Sequence, residues 1–515
     1  MLMSAADYRD SLRRYKPRVF VNGQRIESVA DSPELAPGVR ATGVTYDFAL
    51  QAEHKPLMTA RQGTSGKTVN RMLHINETSN DLLYKLEAVR LVCRESGCAQ
   101  RYLTHDGLNA IFQATKRIDA NGGSGYHERF LEYLHKVQDE DLTLGVAMTD
   151  AKGDRSKRPG AQANPDVYVH IKERRPDGIV IRGTKAIVTG APYMHEFLVM
   201  PCRTMTPEDA RFAVCCAVPV DAPGVTIISR PAGRPGERAA PYSAKYGQAT
   251  GVVQFEDVFV PWNRVFADGQ YDEAGYMTTS YATHHRHSCI GARAGFGDLL
   301  IGAGALMIDA NGLDPERHGH IRDAMVDLIK IVEGFFACGV AASVYAMRDP
   351  AGSVMPDTVF SNIGKLLLAT QIYDMHRLAH YVSGGLVVAL PGPDEDHNPE
   401  TAASLSAVLA GRPDIPAASR LQVARLVEDL TATHTGGWMS LISLHGGGSP
   451  EAMKREIWRN YPVGEKAELV EQLLDRGVLA EGRRVSKQPG RCCATGCEVP
   501  ERISDVPAGD RNAAE

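Results

Sequence analysis

From Asp81 to about Ala120 apolar residues return every three or four positions, as in LLYKLEAVRLVC and LNAIFQATKRI, and the same spacing runs from Tyr126 to Val137. This period predicts amphipathic helices for the first third of the chain. From Leu142 the period changes to short β-branched runs at 167–173, 178–190, 197–201, 212–220, 225–229 and 252–261. Gly, Pro and Asp separate them, as expected of antiparallel strands in a barrel or sandwich. After Pro261 helical spacing resumes and holds to about Gly477, with segments near 278–310, 317–348, 357–388, 417–444 and 464–476. An order of helix, sheet, helix argues against a doubly wound parallel sheet, in which the two element types alternate. The expected fold is α+β: an N-terminal helical domain (1–141), a central antiparallel β-barrel (142–275), a C-terminal helical bundle (276–480) and a cysteine-containing tail (481–515).

At 515 residues the chain has room for two or three domains and a large core, so its stability does not require oligomerisation. Its 57 basic and 62 acidic residues leave a net charge of -5 and no basic field for nucleic acid, so the expected ligand is small. The N-terminus is charged by residue 7, unlike a secretory signal. The most apolar helix-like run, Leu299 to Ile308, falls well short of the roughly 20 residues that span a bilayer. A soluble cytoplasmic protein is the expectation. Ten cysteines (93, 98, 202, 215, 216, 289, 338, 492, 493 and 497) are too few and too irregular for a disulfide scaffold and read as reduced thiols. Cys492, Cys493 and Cys497 in the tail suit zinc only with a fourth ligand from elsewhere; free thiols or a contact between subunits are the alternatives.

Candidate chemistry starts at Met148–Asp166, MTDAKGDRSKRPGAQANPD, a loop broken by glycine and proline after an apolar strand. Lys152, Arg155, Lys157 and Arg158 can meet a pyrophosphate, with the backbone N–H groups around Gly153 and Gly160 open beside them; a solvated basic turn is the plain alternative. Gly446, Gly447 and Gly448 present no side chains to a ring or phosphate, and Ser449-Pro450-Glu451 is a helix start that aims N–H groups at an anion. A linking turn is the alternative there. GARAGFG at 291–297 lies inside a helical pattern, where small residues permit close helix packing rather than dinucleotide binding.

Helices, a β region and a helical bundle, together with MTDAKGDRS, RGTKAIVTG, VVQFEDVFVP, GFGDLLIGAGAL, YVSGGL and LHGGGSP, resemble the 4-hydroxyphenylacetate 3-hydroxylase superfamily from about residue 10 to about 478, and within it the 4-hydroxybutyryl-CoA dehydratase branch. The resemblance implies the acyl-CoA dehydrogenase fold, a homotetramer, and FAD between the β domain and the C-terminal bundle. Carried over by motif, Val146, Ala147, Met148, Lys152, Gly153, Asp154 and Arg155 face the cofactor, Thr189 approaches its ring, and Gly446, Gly447, Gly448 and Ser449 close over it. Thr189 ends an alternating strand before Gly190, so its hydroxyl can bond a flavin edge; capping its own strand is the alternative.

The dehydratase branch also implies a [4Fe-4S] cluster held by three Cys and one His. Here Cys98 and His285 stand at two ligand positions, while Tyr102 and Ala292 occupy the other two. A cluster on two ligands is labile. A shifted set of Cys93, Cys98, His285 and Cys289 has the right number, but five residues of helix turn Cys93 and Cys98 to different faces. No iron-sulfur cluster and no other metal is therefore expected. The branch's glutamate ahead of the histidine-glycine loop is replaced by Ile442, and the positions where aromatic hydroxylases hold a phenol carry Leu103, Gly107 and Val146. The rebuilt pocket is expected to be lined by Tyr102, His105, His284, His285 and Arg293, with His285 as acid or base, Tyr102 as a hydrogen-bond donor and Arg293 as partner of a substrate anion. The function expected first is a two-component monooxygenase that takes reduced FAD from a separate flavin reductase and oxygenates a phenolic or enolisable small molecule. A CoA-thioester dehydratase or double-bond isomerase is the second reading, and an inactive flavin-binding scaffold the third.

Overall fold

The computed structural model describes residues 2–122 and 124–474. The longer helices before the sheets are α1 (Ala5–Leu12), α2 (Ala36–Leu50), α3 (Ser79–Ser96), α4 (Tyr102–Gly122) and α5 (Tyr126–Asp139); after them come α6 (Ala274–Ala310), α7 (Gly319–Val344), α8 (Thr358–Ser383), α9 (Ala402–Leu409), α10 (Ala417–Thr431), α11 (His434–His445), α12 (Pro450–Asn460) and α13 (Val463–Leu473). Between the two groups lie β3 (Leu144–Ala147), β4 (Thr149–Asp150), β5 (His170–Arg175), β6 (Gly178–Thr189), β7 (Glu196–Val199), β8 (Val214–Pro219), β9 (Val225–Ser229), β10 (Thr250–Pro261) and β11 (Val265–Asp268). The helix, sheet, helix order read from periodicity is what the chain adopts. The segment expected as one helix over 417–444 is two, because Thr431, Thr433 and the glycines that follow have low helix propensity. Cys492, Cys493, Cys497 and the tail from 481 lie outside the described residues.

The expected closed antiparallel barrel is corrected. With β1 (Val19–Val21) and β2 (Gln24–Ile26), the described strands form two larger open sheets, one ordered β2-β1-β9-β10-β6-β4 with β5 also on β6, the other β11-β8-β7-β3, and two two-stranded sheets, Thr59–Arg61 with Thr68–Asn70 and Met347–Arg348 with Val354–Met355. Two pairings are parallel: β3 with β7, and β9 with β1 (Val19–Val21), a strand that with β2 (Gln24–Ile26) comes from the N-terminal region. Periodicity could not show this, since three residues are too short to register a period of two.

The 37-residue α6 is the axis of the helical part and packs against α3, α4, α7, α8 and α10. It is long and apolar enough to cross a membrane, beyond the ten-residue run expected, but 67% of its most apolar window is buried inside the protein. Its apolarity is therefore used in packing. A Cβ on Gly291 would stand 2.6 Å from the Leu86 carbonyl oxygen and one on Gly295 2.4 Å from that of Arg90, so these glycines let α3 lie directly on α6.

Lys185 of β6 sets the start of the 148–166 loop. Its buried ammonium donates to the carbonyls of Met148 (2.9 Å) and Met200 (2.8 Å) and pairs with Asp150 at 2.8 Å. Replacing it with methionine would leave the buried Asp150 carboxylate uncompensated. Lys185→Met is expected to cost about 3–5 kcal/mol in urea unfolding, and a loss below about 1 kcal/mol would reject the anchor role.

Candidate active site

Tyr102, His285 and Arg293 are brought together where α4, α6 and α11 meet, under the Gly446–Ser449 loop. Gly97 has a φ of +67° and ends α3, so the chain reverses and places Cys98 outside the helix, 3.3 Å from the Tyr102 hydroxyl. The expectation that Cys93 and Cys98 diverge on one helix fails for this reason: Ala99 N–H donates to Cys93 Sγ at 3.5 Å. Burial pushes the Tyr102 phenol well above its usual range, so it is a donor and not a base.

His285 is fixed on both sides of its ring. Nδ1 lies 3.1 Å from Asp106 Oδ2, Nε2 lies 3.6 Å from Cys289 Sγ one helical turn on, and the ring stacks between Tyr281 (5.4 Å) and Tyr102 (6.0 Å). Burial alone would pull its imidazole down; the Cys289 thiolate and the Asp106 carboxylate outweigh it and lift it to about 9. Burial likewise raises the Cys289 thiol, but His285, Lys365 and Arg293 together bring it to about 7. The two groups favour each other's charged form.

Arg293 is 2% exposed; its Nε donates to Ser443 Oγ at 2.6 Å and its Nη1 has no hydrogen-bond partner. Lys365 of α8 donates to the Ser443 carbonyl at 2.5 Å, and burial pulls its amine down to about 8. Arg286 donates to the Gly447 carbonyl (2.9 Å) and to Asn362 (2.7 Å). Among the described residues none of these three cations is ion-paired with a carboxylate. Burying such charges is costly unless a counter-charge arrives.

Sequence reasoning missed Lys365, Arg286, Lys85 and Asp106, although a signal was present. Lys365 shares a helical face with buried Leu368, Ala369 and Ile372, and Lys85 with Leu82, Val89 and Val92. A charge on an apolar stripe marks a buried charge. His105 and His284 do not line the pocket. His105 bonds Asn76 and Asp106, His284 bonds Gln113, and burial pulls both imidazoles down, His105 to about 4. Neighbours on a helix point about 100° apart, so the HHRHS segment cannot face one cavity.

At the expected flavin site, Val146 and Ala147 are core residues, and a Cβ on Gly107 of α4 would come within 2.9 Å of the Val146 side chain. Met148 and Lys152 are half-buried, and Gly153, Asp154 and Arg155 are exposed. Lys152 at φ +72° and Gly153 at +51° turn the loop outward, and Asp154 Oδ1 is capped by Ser156. Arg158 is removed from phosphate binding by Asp209, 2.8 Å away, and Lys157 leans on Asp154 at 3.7 Å. Thr189 stands directly opposite Thr250, on the same sheet face, and Thr250 Oγ1 is buried without a partner. Gly447 (φ +75°) lies on His285, where a Cβ would come within 3.3 Å of the ring; Gly448 follows at +101°, and Ser449 caps α12 through Ala452 N–H. The orphan hydroxyl, the bare loop and the unpaired cations fit an anionic, ring-bearing cofactor such as FAD. Among the described residues no three His, Cys, Asp or Glu side chains gather as metal ligands.

The described chain combines a mixed helix-and-sheet fold with paired threonines at a strand end, Thr189 and Thr250, and a side-chain-free loop, Gly446–Gly448, that lies on His285 beside buried cations. The chain belongs to the 4-hydroxyphenylacetate 3-hydroxylase family, whose N-terminal model matches residues 4–267 and whose C-terminal model matches residues 274–475. It is 34% identical over 489 residues to the 4-hydroxybutyryl-CoA dehydratase/vinylacetyl-CoA-Delta-isomerase of Clostridium aminobutyricum, covering 92% of this chain and 99% of that one. The oxygen-tolerant archaeal 4-hydroxybutyryl-CoA dehydratase from N. maritimus superposes with a TM-score of 0.88 at 32% identity, covering 98% of both chains. The oxygenase component of 4-hydroxyphenylacetate 3-monooxygenase, solved with FAD, shares the fold at a TM-score of 0.80 and 21% identity, over 92% of this chain and 98% of that one. These relatives are enzymes of two kinds, a flavin-binding monooxygenase and CoA-thioester dehydratases.

Proposed function

We propose that the protein is an FAD-dependent monooxygenase that receives reduced FAD from a separate reductase and oxygenates a small phenolic or enolisable substrate. The observation that carries this reading is Arg293, a buried guanidinium with a free Nη1 beside the Tyr102 hydroxyl, in a pocket whose cations lack carboxylate partners. Reduced FAD supplies the electrons that activate oxygen. Thr189 and Thr250 would hold the ring edge, the Gly446–Ser449 backbone would cover it, and Lys152 and Arg155 would meet its phosphates. Arg293 and Tyr102 would take the substrate's phenolate or enolate oxygen, and the stacked tyrosines and buried helices keep water from it. Exposed Val326, Ile329, Tyr373, Tyr381 and Trp458 suit the subunit contacts of a tetramer.

The test supplies reduced FAD and oxygen with a panel of small phenols and follows oxygen uptake and product. Uptake without product from every phenol would reject the reading. Thr189→Val is expected to weaken FAD binding about 2–10-fold in a fluorescence titration, the effect of one neutral hydrogen bond. The second reading, a CoA-thioester dehydratase or isomerase, is favoured by the 34% identity to the Clostridium enzyme. Anaerobic conversion of a 4-hydroxyacyl-CoA would select it.

A further inference from the structure

The outer face of the larger sheet carries an apolar row that is open to solvent among the described residues. On β6, Gly183, Lys185 and Val188 are buried, while Thr184, Ile187 and Thr189 lie on the outward side. The register carries that side across the neighbouring strands: Thr149 of β4 lies opposite Ile187, Val252 of β10 opposite Ile228 of β9, and Ile228 opposite Phe20 of β1. A bulge interrupts β6 at this row. Lys185 pairs with Val253 and Val188 with Gly251, so Ala186 and Ile187 together face the single Val252. Ile187 is 52% exposed and Ile228 47%, and Val252 and Phe20 are half-buried. A sheet with one solvent face normally turns polar residues to it, and β-branched side chains left there forgo the gain of burial.

What covers the row is decided at its edge. Thr189 stands two residues beyond Ile187 on the same side of β6, and Thr250 two residues before Val252 on β10. Thr189 and Thr250 are directly opposite each other, and Thr250 Oγ1 is buried without a hydrogen-bond partner. A hydroxyl pair and an aliphatic pair thus lie side by side, about 7 Å apart along the strands. A flat fused ring with polar atoms on one edge satisfies both pairs at once, its face on the aliphatic pair and its edge at the hydroxyls. An apolar helix from a second copy would cover Ile187 and Val252 but leave the Thr250 hydroxyl unanswered.

We propose that Ile187 and Val252 are the wall on which the ring of FAD rests, with Thr189 and Thr250 at its polar edge. This rests on the FAD reading above and extends it from the ring's edge to its face. Ile187 and Val252 are positioning residues: they exclude water from one face of the ring and take no part in proton or electron transfer. Thr149, opposite Ile187, places the start of the 148–166 loop beside the same wall.

The test uses the full chain and oxidised FAD, reading affinity by equilibrium dialysis and the bound flavin by its fluorescence lifetime. Ile187→Asp is expected to weaken FAD binding about 10–100-fold, the effect of withdrawing an isoleucine-sized apolar contact. Ile187→Trp should keep FAD bound and shorten the flavin lifetime relative to wild type, because an indole in contact with the excited ring transfers an electron to it. Ile187 is half-exposed, so both variants should fold as wild type by circular dichroism. Wild-type affinity in Ile187→Asp, or an unchanged lifetime in FAD-loaded Ile187→Trp, overturns the proposal. Sedimentation of Ile187→Asp names the other occupant: dissociation of an oligomer at wild-type FAD affinity assigns the row to a second copy. A wild-type chain that binds no FAD overturns the wall and the FAD reading together, whereas normal wild-type binding with indifferent variants removes the wall alone.

Discussion

Asp106→Ala is expected to destabilise the folded chain by about 3–5 kcal/mol near pH 7, because it strands two buried positive groups at once. Asp106 is wholly buried, and Lys85, His285 and His105 all point at it. Burial raises its carboxyl, but hydrogen bonds from His105 and His285 and the charge of Lys85 prevail and hold it far below the usual carboxylate range. The sign of the pH dependence follows. A carboxyl with a depressed folded pKa contributes stability above its unfolded value, near 3.9, and loses it only in stronger acid, so its wild-type contribution is complete at neutral pH. In the variant, Lys85 loses its counter-charge and its amine falls below the present value of about 8. An amine with a depressed folded pKa costs stability while it must be charged, so the deficit should be larger at pH 6.5 than at pH 9. Urea unfolding at the two pH values measures both numbers. A deficit under about 1 kcal/mol, or one that grows with pH, would show that Asp106 is not the counter-charge of this core.

Arg293→Met should behave in the opposite way. Its guanidinium is buried with Ser443 as hydrogen-bond partner and a free Nη1, so folding gains little from it. A charged hydrogen bond to the substrate's oxygen is worth about 1.5–3 kcal/mol, which predicts a fall in kcat/KM of about 10–100-fold for oxygenation of a phenolic substrate. Unfolding free energy should stay within about 1 kcal/mol of wild type, since methionine fills similar space without a charge to desolvate. Steady-state oxygenation kinetics and urea unfolding of one preparation separate the two effects. A variant that loses stability and activity together would make Arg293 a structural residue.

What the sequence disclosed and what it hid have physical reasons. Long runs with a clear period, such as Thr358–Ser383 and Gly178–Thr189, were legible because one face repeats often enough to be seen. The start of α12 at Ser449-Pro450 was legible because capping is local chemistry. The Tyr102, His285 and Arg293 cluster came from resemblance and from residue type, and the fold does gather it. The partners that decide its charge did not appear: Asp106 stands one helical turn after Tyr102 on α4, and Lys365 and Ser443 come from two other stretches of chain. Cys93 and Cys98 were placed on diverging helix faces because the break at Gly97 was not used. The barrel was inferred from strand composition, which carries no information on which edges pair.

The parallel ladder between Val19–Val21 and Ile227–Ser229 bears on how this protein can be divided. An excised fragment beginning near residue 142 would keep every strand from Leu144 onward but would bare one flank of Val225–Ser229, and unpaired backbone of that kind recruits other chains. A portable version of the middle region would have to carry the first thirty residues as a graft.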